Sequence, residues 1–236
     1  MRQFVVKPDD IKKDVLVIRA TEARHMLRTL RMKKGDPFFA VNGKGTKYRC
    51  EIKEISKGIV VANICDVLSE KASSKILITL ALALTKSSTI EVILRRLTEI
   101  GVDRFILFPA ARSMPKSVSA QKILRWKTIL KEAVKQSKRS SLPELQVVGT
   151  FQDIVCQAER HDMALIPALE EHQCRIKDLH DQLRMAKSLI YMIGPEGDFD
   201  FEELECARTN GWVPVTLGAN ILRMDTAALY VVANIL

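Results

Sequence analysis

The sequence predicts an α/β fold in which a largely parallel sheet follows a small β-rich domain. From about residue 75 onward, apolar runs that suit buried strands alternate with segments of helical periodicity. Before residue 70 the pattern is one of short strands separated by turns. The last quarter adds two glycine-bearing loops, each placed where an apolar strand ends and a helix begins. Ligands bind at such positions in α/β proteins.

The first 70 residues have the pattern of a small β domain. Asn-Gly and Lys-Gly pairs at residues 42–43 and 57–58 indicate tight turns. The polar, aperiodic stretch 69–74 is the expected linker, so we place one domain over residues 1–70 and the next over residues 74–236. Strands of the first domain are predicted at residues 3–6, 15–18, 38–41, 47–55 and 59–67.

One helix, predicted over residues 21–31 with Thr21 as its cap, interrupts these strands. It carries Arg24, Arg28 and Arg31 at helical spacing while apolar side chains turn inward. Such a ridge suits nucleic-acid phosphates, and a solvated helix face is the alternative. Further basic residues that would extend the ridge are Lys33, Lys34, Lys44, Lys47 and Arg49.

The charge is unevenly distributed along the chain. Residues 1–70 hold 15 basic and 9 acidic residues, residues 71–150 hold 15 and 5, and residues 151–236 hold 7 and 14. A chain whose first two thirds are so basic is suited to a polyanion such as nucleic acid. A basic surface without a partner is the alternative.

Other features of the composition indicate a cytoplasmic protein. No apolar run approaches a signal peptide or a membrane span, so no membrane association is predicted. The 5 cysteines are scattered and form no C-x-x-C pair, which is typical of reduced thiols. No metal site is predicted, because the histidine and cysteine spacings fit no zinc pattern.

The second domain is predicted to alternate strands and helices. Asp200 and Glu203 can form a capping box, Gly211 can end the helix that they begin, and Asp225 or Thr226 can cap the last helix. Strands are predicted at residues 75–84, 104–109, 145–148, 163–169, 189–193 and 213–217, and helices at residues 88–100 and 120–139 and from residue 151.

The two glycine loops are residues 194–197 and 218–220. If both preceding strands are parallel, the loops lie at the same edge of the sheet and can close on one small molecule from opposite sides. Their glycines allow the backbone to approach a ligand closely. An ordinary pair of turns is the alternative that spacing alone leaves open.

Several motifs occur in a fixed order along the chain. The C-terminal part carries IGPEG, the helix FEELECAR and the pattern LG-x-x-IL-R-x-x-TAAL. Upstream lie TKSSTIEVILRRLTEIGVDRFILFPAARS, EAVKQSKRSSLPEL and the segment 25–31. Together these motifs resemble the RsmE family, ribosomal RNA small subunit methyltransferase E, of the SPOUT class of S-adenosylmethionine (SAM) enzymes. The resemblance therefore covers nearly the whole chain.

The resemblance implies a PUA-like RNA-binding barrel followed by a SPOUT domain whose C-terminal part forms a trefoil knot. The implied activity is methyl transfer from SAM to N3 of a uridine in 16S rRNA of the small ribosomal subunit, by a homodimer. Two alternatives stay open. One is a non-catalytic RNA-binding assembly factor, and the other is a methyltransferase that acts on another RNA.

The resemblance also implies which residues bind SAM. Peptide groups of the two loops would hydrogen-bond the cofactor, and residues 167–169 would form a third wall. Ile221 and Leu222 would pack on the adenine ring, or they belong to the core. The implied cofactor-binding residues are Pro167, Ala168, Leu169, Ile193, Gly194, Pro195, Glu196, Gly197, Leu217, Gly218, Ile221, Leu222, Arg223, Thr226 and Ala227.

Arg223 is the predicted catalytic cation, because uridine that loses its N3 proton becomes an anion. Arg223 would stabilise that anion or bind the phosphate of the target nucleotide. Glu196 and Asp225 are the candidate bases. The alternatives are that Glu196 orders its loop and that Asp225 caps the last helix. RNA contacts are predicted for Arg24, Arg28, Arg31, Lys86, Arg112 and Arg139, the last three of which can also be surface charges or structural ion pairs.

Two positions depart from the family pattern. Asp198 stands where a second glycine usually follows IGPEG, and Met224-Asp225 stands where Thr-Glu is usual. Asp198 makes the loop less permissive, and it can add an acceptor for the amino group or ribose of SAM. Asp225 keeps the charge with a shorter reach, which puts a catalytic role in question.

Overall fold

The computed structural model describes residues 1–69, 76–171 and 173–236. Contacts divide the chain into two compact units. The first unit comprises Met1–Ser73 and Lys131–Leu142, and the second comprises Ser74–Leu130 and Pro143–Leu236. The predicted linker, residues 69–74, lies outside the described residues except for Ser69. The predicted end of the first domain at residue 70 and the predicted start of the second at residue 74 also lie outside them.

The first unit is a six-stranded sheet with the order β1-β4-β5-β6-β3-β2. Strands β1 and β4 are parallel and the other neighbours are antiparallel. Alternating side chains such as Phe4, Leu16, Phe38 and Ile52 form its buried core. The strands are β1 (Gln3–Val5), β2 (Ile11–Lys12), β3 (Val15–Ile18), β4 (Pro37–Val41), β5 (Thr46–Ser56) and β6 (Ile59–Ser69).

The helix of the first unit differs from the prediction. Helix α1 spans Ala20–Arg24 and its N-cap is Arg19, so the prediction of Thr21 as the cap is wrong. A π-helical turn over His25–Thr29 follows, closed by the hydrogen bond from the Leu30 amide to the His25 carbonyl over 3.1 Å. The first helical residue precedes the threonine, and the helical conformation ends at Thr29, before the predicted limit at residue 31.

The second unit contains a parallel six-stranded sheet with the order β12-β10-β11-β7-β8-β9. This confirms the predicted fold class, while the knot remains a prediction. The elements are β7 (Leu77–Ala83), α2 (Ser87–Ile100), β8 (Arg104–Phe108), α3 (Ala120–Ser137), β9 (Glu144–Val147), α4 (Gln152–Val155), β10 (Met163–Pro167), α5 (His180–Met185), β11 (Ser188–Ile193), α6 (Phe201–Thr209), β12 (Val213–Val215) and α7 (Met224–Ala233). Residues of α3 from Lys131 onward belong to the first unit.

The central strands of this sheet are buried on both faces, as their unbroken apolar sequences predict. Residues 78–84 of β7 and the loop after it are buried, as are residues 189–193 of β11. Strand β11 lies between β10 and β7, and β12 lies beside β10. The carboxyl ends of β10, β11 and β12 therefore meet at one edge of the sheet.

The helix caps agree with the prediction at α6 but not at α7. Asp200 accepts a hydrogen bond from the Glu203 amide over 2.8 Å, and the Glu203 carboxylate accepts from the Asp200 amide, which is the predicted capping box. Helix α7 begins at Met224 with Arg223 as its N-cap. Asp225 and Thr226 thus lie inside its first turn, so neither is the cap. No helix in the described ranges is long and apolar enough to cross a membrane.

Candidate active site

A cavity of about 910 Å³ opens in the second unit at the carboxyl ends of β10, β11 and β12. The loops after these three strands form its walls, and residues of α2 and α7 complete it. Its volume is in the range that small-molecule sites have. The predicted meeting of the two glycine loops is therefore observed, and residues 167–169 lie on the same cavity.

Most of the residues predicted to bind a cofactor line this cavity. Gly197 and Thr226 do not: Gly197 lies against the Arg112 side chain, and Thr226 is exposed in α7. The predicted residues on the cavity wall are Pro167, Ala168, Leu169, Ile193, Gly194, Pro195, Glu196, Leu217, Gly218, Ile221, Leu222, Arg223 and Ala227.

The cavity wall also contains residues that sequence reasoning missed. Ser88, Thr89 and Val92 of α2 line it, although they lie far upstream of the glycine loops. Their segment resembles the family, but nothing in its spacing points to the cavity. Asp198, the predicted additional acceptor, and Ala219 and Asn220 of the second predicted glycine loop also line the cavity, as do Thr216 and Met224.

Apolar side chains beside the cavity remain uncovered. Ile221 is 79% exposed and Leu169 is 51% exposed, and both line the wall. Burying such side chains against a flat ring is favourable. Together with the peptide groups of three loops, this wall suits a ligand that has an aromatic ring and several polar groups, which is the character of SAM. The residues present therefore fit the cofactor.

The loop after β11 has a tightly packed interior. A Cβ atom on Gly194 would lie 3.0 Å and 3.1 Å from two ring carbons of Phe199. The buried Phe199 ring packs at 6.0 Å from Phe151, which in turn packs at 6.0 Å from Phe108. Gly194 is therefore required by close approach, because the aromatic row fixes Phe199.

A second loop supports the first from outside the cavity. The Arg112 guanidinium donates hydrogen bonds to the carbonyl oxygens of Gly197 over 2.7 Å and Phe199 over 3.4 Å. Beside it, the buried Glu203 carboxylate accepts a hydrogen bond from the Ala111 amide over 2.7 Å. Arg112, predicted as an RNA contact, thus lies against the backbone of the glycine loop.

The predicted catalytic residues share the cavity but differ in their partners. Glu196 forms an ion pair with Lys86 at 3.9 Å, and Asp225 forms one with Arg96 at 3.5 Å. The exposed Arg223 guanidinium has no hydrogen-bond or ion-pair partner within residues 1–69, 76–171 and 173–236. It is therefore available to bind an anion.

The other predicted RNA contacts belong to the first unit. Arg24 and Arg28 are exposed on α1 and the π-helical turn. Arg31 is also exposed, but it lies beyond the turn with a left-handed φ of +51°, so its predicted place on the helix is wrong. Arg139 is half-buried and donates a hydrogen bond to the Ser141 hydroxyl over 3.3 Å. In the additional basic patch, Lys33, Lys34 and Lys44 are exposed, Arg49 pairs with Asp66 at 4.0 Å, and Lys47 lies 4.6 Å above the Phe39 ring.

Known proteins similar to this chain are RNA-modifying enzymes. Residues 72–236 match the RNA methyltransferase domain family, and residues 18–65 match the RNA methyltransferase PUA domain family. A ribosomal RNA small subunit methyltransferase E from Synechocystis sp. is 30% identical, over 99% of this chain and 76% of its own length. The protein of the same name from Bacillus subtilis is 30% identical, over 92% of this chain and 88% of its own length.

A solved structure shares the fold. The ribosomal RNA small subunit methyltransferase E from Neisseria gonorrhoeae, crystallised with S-adenosyl methionine, matches with a TM-score of 0.87. The two sequences are 24% identical, and the match covers 99% of this chain and 95% of the other.

Proposed function

We propose that this chain, which belongs to the ribosomal RNA small subunit methyltransferase E family, transfers a methyl group from SAM to N3 of a uridine in 16S rRNA. The cavity at the ends of β10, β11 and β12 supports this proposal, because it brings the two glycine loops, residues 167–169 and Arg223 to one place. When bound, SAM supplies the electrophilic methyl group of its sulfonium centre. The protein's own contribution is positioning and charge stabilisation.

The walls of the cavity would orient the cofactor. Peptide groups around Gly194 and Gly218 are free to approach a ligand closely, since neither residue carries a side chain. Leu169, Ile221 and Leu222 provide apolar surface for the adenine ring. The proposed cofactor-binding residues therefore divide into hydrogen-bonding loops and an apolar wall, as small-molecule sites generally do.

Arg223 would act on the uridine. Loss of the N3 proton spreads negative charge onto the neighbouring carbonyl oxygens, and a cation beside them stabilises that charge. The Arg223 guanidinium lies on the cavity wall without a competing ion pair among the described residues. Glu196 and Asp225, on the same wall, are the candidates to accept the proton at N3.

The first unit would hold the RNA. Its exposed Arg24, Arg28 and Arg31 offer phosphate contacts, which position an RNA without reading its sequence. Lys86, at the N-cap of α2, is the corresponding candidate in the second unit. Affinity for the RNA should fall steeply with salt if these contacts form. If its substrate is the small ribosomal subunit, the protein acts in the cytoplasm.

The second unit would pair with a second copy. Helices α2 and α7 pack against each other and leave the apolar side chains of Val92, Ile100 and Tyr230 exposed, and Leu236, which follows α7, is exposed as well. A homodimer that buried this surface would remove it from water. Light scattering would then give twice the monomer mass, whereas a monomer at micromolar concentration would refute the pairing.

The decisive experiment is nucleoside mapping by mass spectrometry after incubation of unmodified small ribosomal subunits with the protein and SAM. We expect N3-methyluridine at one site, and its loss with Arg223→Ala. Arg184→Ala, which removes an exposed arginine of α5 away from the cavity residues, is the matched control and should retain activity. Binding of SAM without any methylated nucleoside would reject the substrate, and absence of SAM binding would favour the assembly-factor alternative.

A further inference from the structure

We propose that Asp198 is a positioning residue that fixes the loop after β10 to the loop after β11 and thereby sets the affinity of the cavity for SAM. The inference rests on the proposed function, because it concerns the same cavity. Asp198 stands where a glycine is usual in the family.

The carboxylate of Asp198 joins two loops. Asp198 Oδ2 accepts a hydrogen bond from the Leu169 amide over 3.2 Å, and Asp198 Oδ1 accepts one from the Phe199 amide over 2.9 Å. Leu169 follows β10, and Phe199 follows β11. Both Leu169 and Asp198 line the cavity. The side chain therefore spans two of the three walls that would enclose the cofactor.

The backbone of Asp198 has a left-handed conformation. Its φ is +59°, in the left-handed region that favours glycine. Aspartate is among the few other residues that adopt this conformation, because its short side chain can bond to the neighbouring backbone. The hydrogen bond from the Asp198 amide to the Pro195 carbonyl over 2.9 Å closes the turn. Aspartate can thus replace glycine here and add the connection to Leu169.

The other carboxylates of the cavity have cationic partners, unlike Asp198. Glu196 faces Lys86 and Asp225 faces Arg96. Within the described part of the chain, Asp198 is bonded to backbone amides and to no cation. Both of its oxygens hold the protein's own backbone. This arrangement indicates a residue that positions the walls rather than one that accepts a proton from the substrate.

The experiment compares Asp198→Gly and Asp198→Asn with the wild-type protein. Glycine keeps the left-handed backbone and removes both hydrogen bonds, while asparagine keeps one oxygen acceptor. Lys57→Gly is the matched control, because it also introduces glycine at a left-handed position, with φ +47°, in the first unit. Two quantities are measured without RNA. They are hydrogen exchange of the Leu169 amide in the cofactor-free protein, and the Kd of SAM and of S-adenosylhomocysteine by calorimetry.

For Asp198→Gly we expect the Leu169 amide to exchange at least about tenfold faster than in the wild-type protein. The Kd of SAM and the Kd of S-adenosylhomocysteine should both rise, each about tenfold. Asp198→Asn should lie between glycine and wild type, and Lys57→Gly should change neither quantity. The kcat at saturating SAM should stay within about twofold, because positioning acts on binding.

Several outcomes would overturn the proposal. Unchanged Leu169 exchange would show that Asp198 does not hold the loop. An unchanged Kd with a lowered unfolding temperature would indicate a role in stability only. A loss of affinity for SAM alone, with the affinity for S-adenosylhomocysteine unchanged, would indicate that Asp198 recognises the charged sulfonium directly and does not position the loops. If the wild-type protein bound neither ligand, the proposed function would fail, and Leu169 exchange would still decide whether Asp198 joins the loops.

Discussion

The Nη1 atom of Arg112 lies 2.7 Å from the carbonyl oxygen of Gly197 and supports the glycine loop from outside the cavity. Arg112→Ala removes this hydrogen bond and the longer one to Phe199. We expect the Kd of SAM to rise about 10- to 150-fold, because a hydrogen bond from a charged group contributes roughly 1.5–3 kcal/mol. Calorimetry without RNA measures this effect separately from any RNA contact of the arginine.

The control for Arg112 is Lys122→Ala, which removes one exposed positive charge from α3. It should leave the Kd of SAM unchanged. An unchanged Kd for Arg112→Ala, combined with weaker RNA binding, would assign this arginine to the RNA alone, as the sequence first suggested.

Gly194 is predicted to tolerate no side chain. In Gly194→Ala the new methyl group would lie 3.0 Å from the Phe199 ring. The ring cannot easily move away, because it packs in a row with Phe151 and Phe108. We expect a loss of about 1–3 kcal/mol in the free energy of unfolding, measured by urea denaturation, together with weaker SAM binding. Gly149→Ala is the matched control, since its Cβ would meet nothing within 4 Å. Equal effects of the two substitutions would contradict the packing argument.

The loops of the cavity could be predicted because they depend on local sequence. Glycines after apolar strands indicate both where the chain turns and where a ligand fits, and the parallel sheet then brings 194–197 and 218–220 together. Ser88, Thr89 and Val92 could not be placed in this way. They reach the cavity only because α2 packs against α7, and helix packing is not encoded in the spacing of either segment.

The capping errors have a similar cause. Thr21 and Asp225 are residues that favour helix N-termini, but each lies inside the first turn of its helix. At α7 the loop from β12 runs directly into the helix, and Arg223 becomes the N-cap without a side-chain bond. Asp225 is still favourable in the first turn, because an acidic side chain near a helix N-terminus interacts well with the helix dipole.

The two candidate bases can be separated by substitution. Asp225 Oδ2 is held by Arg96 at 3.5 Å from the neighbouring helix, whereas Glu196 and Lys86 are both largely exposed and 3.9 Å apart. Glu196 is thus the freer carboxylate, and we expect Glu196→Gln to lower kcat by about 100-fold or more. Asp225→Asn should lower it less than about tenfold. A larger loss for Asp225→Asn would reverse the assignment.

The half-buried His161 is predicted to make stability depend on pH. Its ring contacts the Thr79 hydroxyl at 3.3 Å and the Gln157 carbonyl oxygen at 2.8 Å. Burial is the main cause that lowers the pKa of His161, and nearby Arg104 lowers it further. The hydrogen bond to Gln157 and the charge of Asp162 oppose this shift in the pKa without reversing it.

Because the folded-state pKa of His161 lies below the unfolded value of about 6.5, the unfolded chain binds more protons between the two values. The stability that neutral His161 provides is therefore complete above pH 6.5 and is lost as the pH falls toward the folded-state pKa. When urea denaturation is measured at pH 7.5 and 5.5, the free energy of unfolding should fall more for the wild-type protein than for His161→Gln as the pH is lowered. The control His180→Gln, which changes an exposed histidine, should behave like the wild-type protein. If the wild-type protein lost no more stability than His161→Gln, His161 would not be the source of the pH dependence.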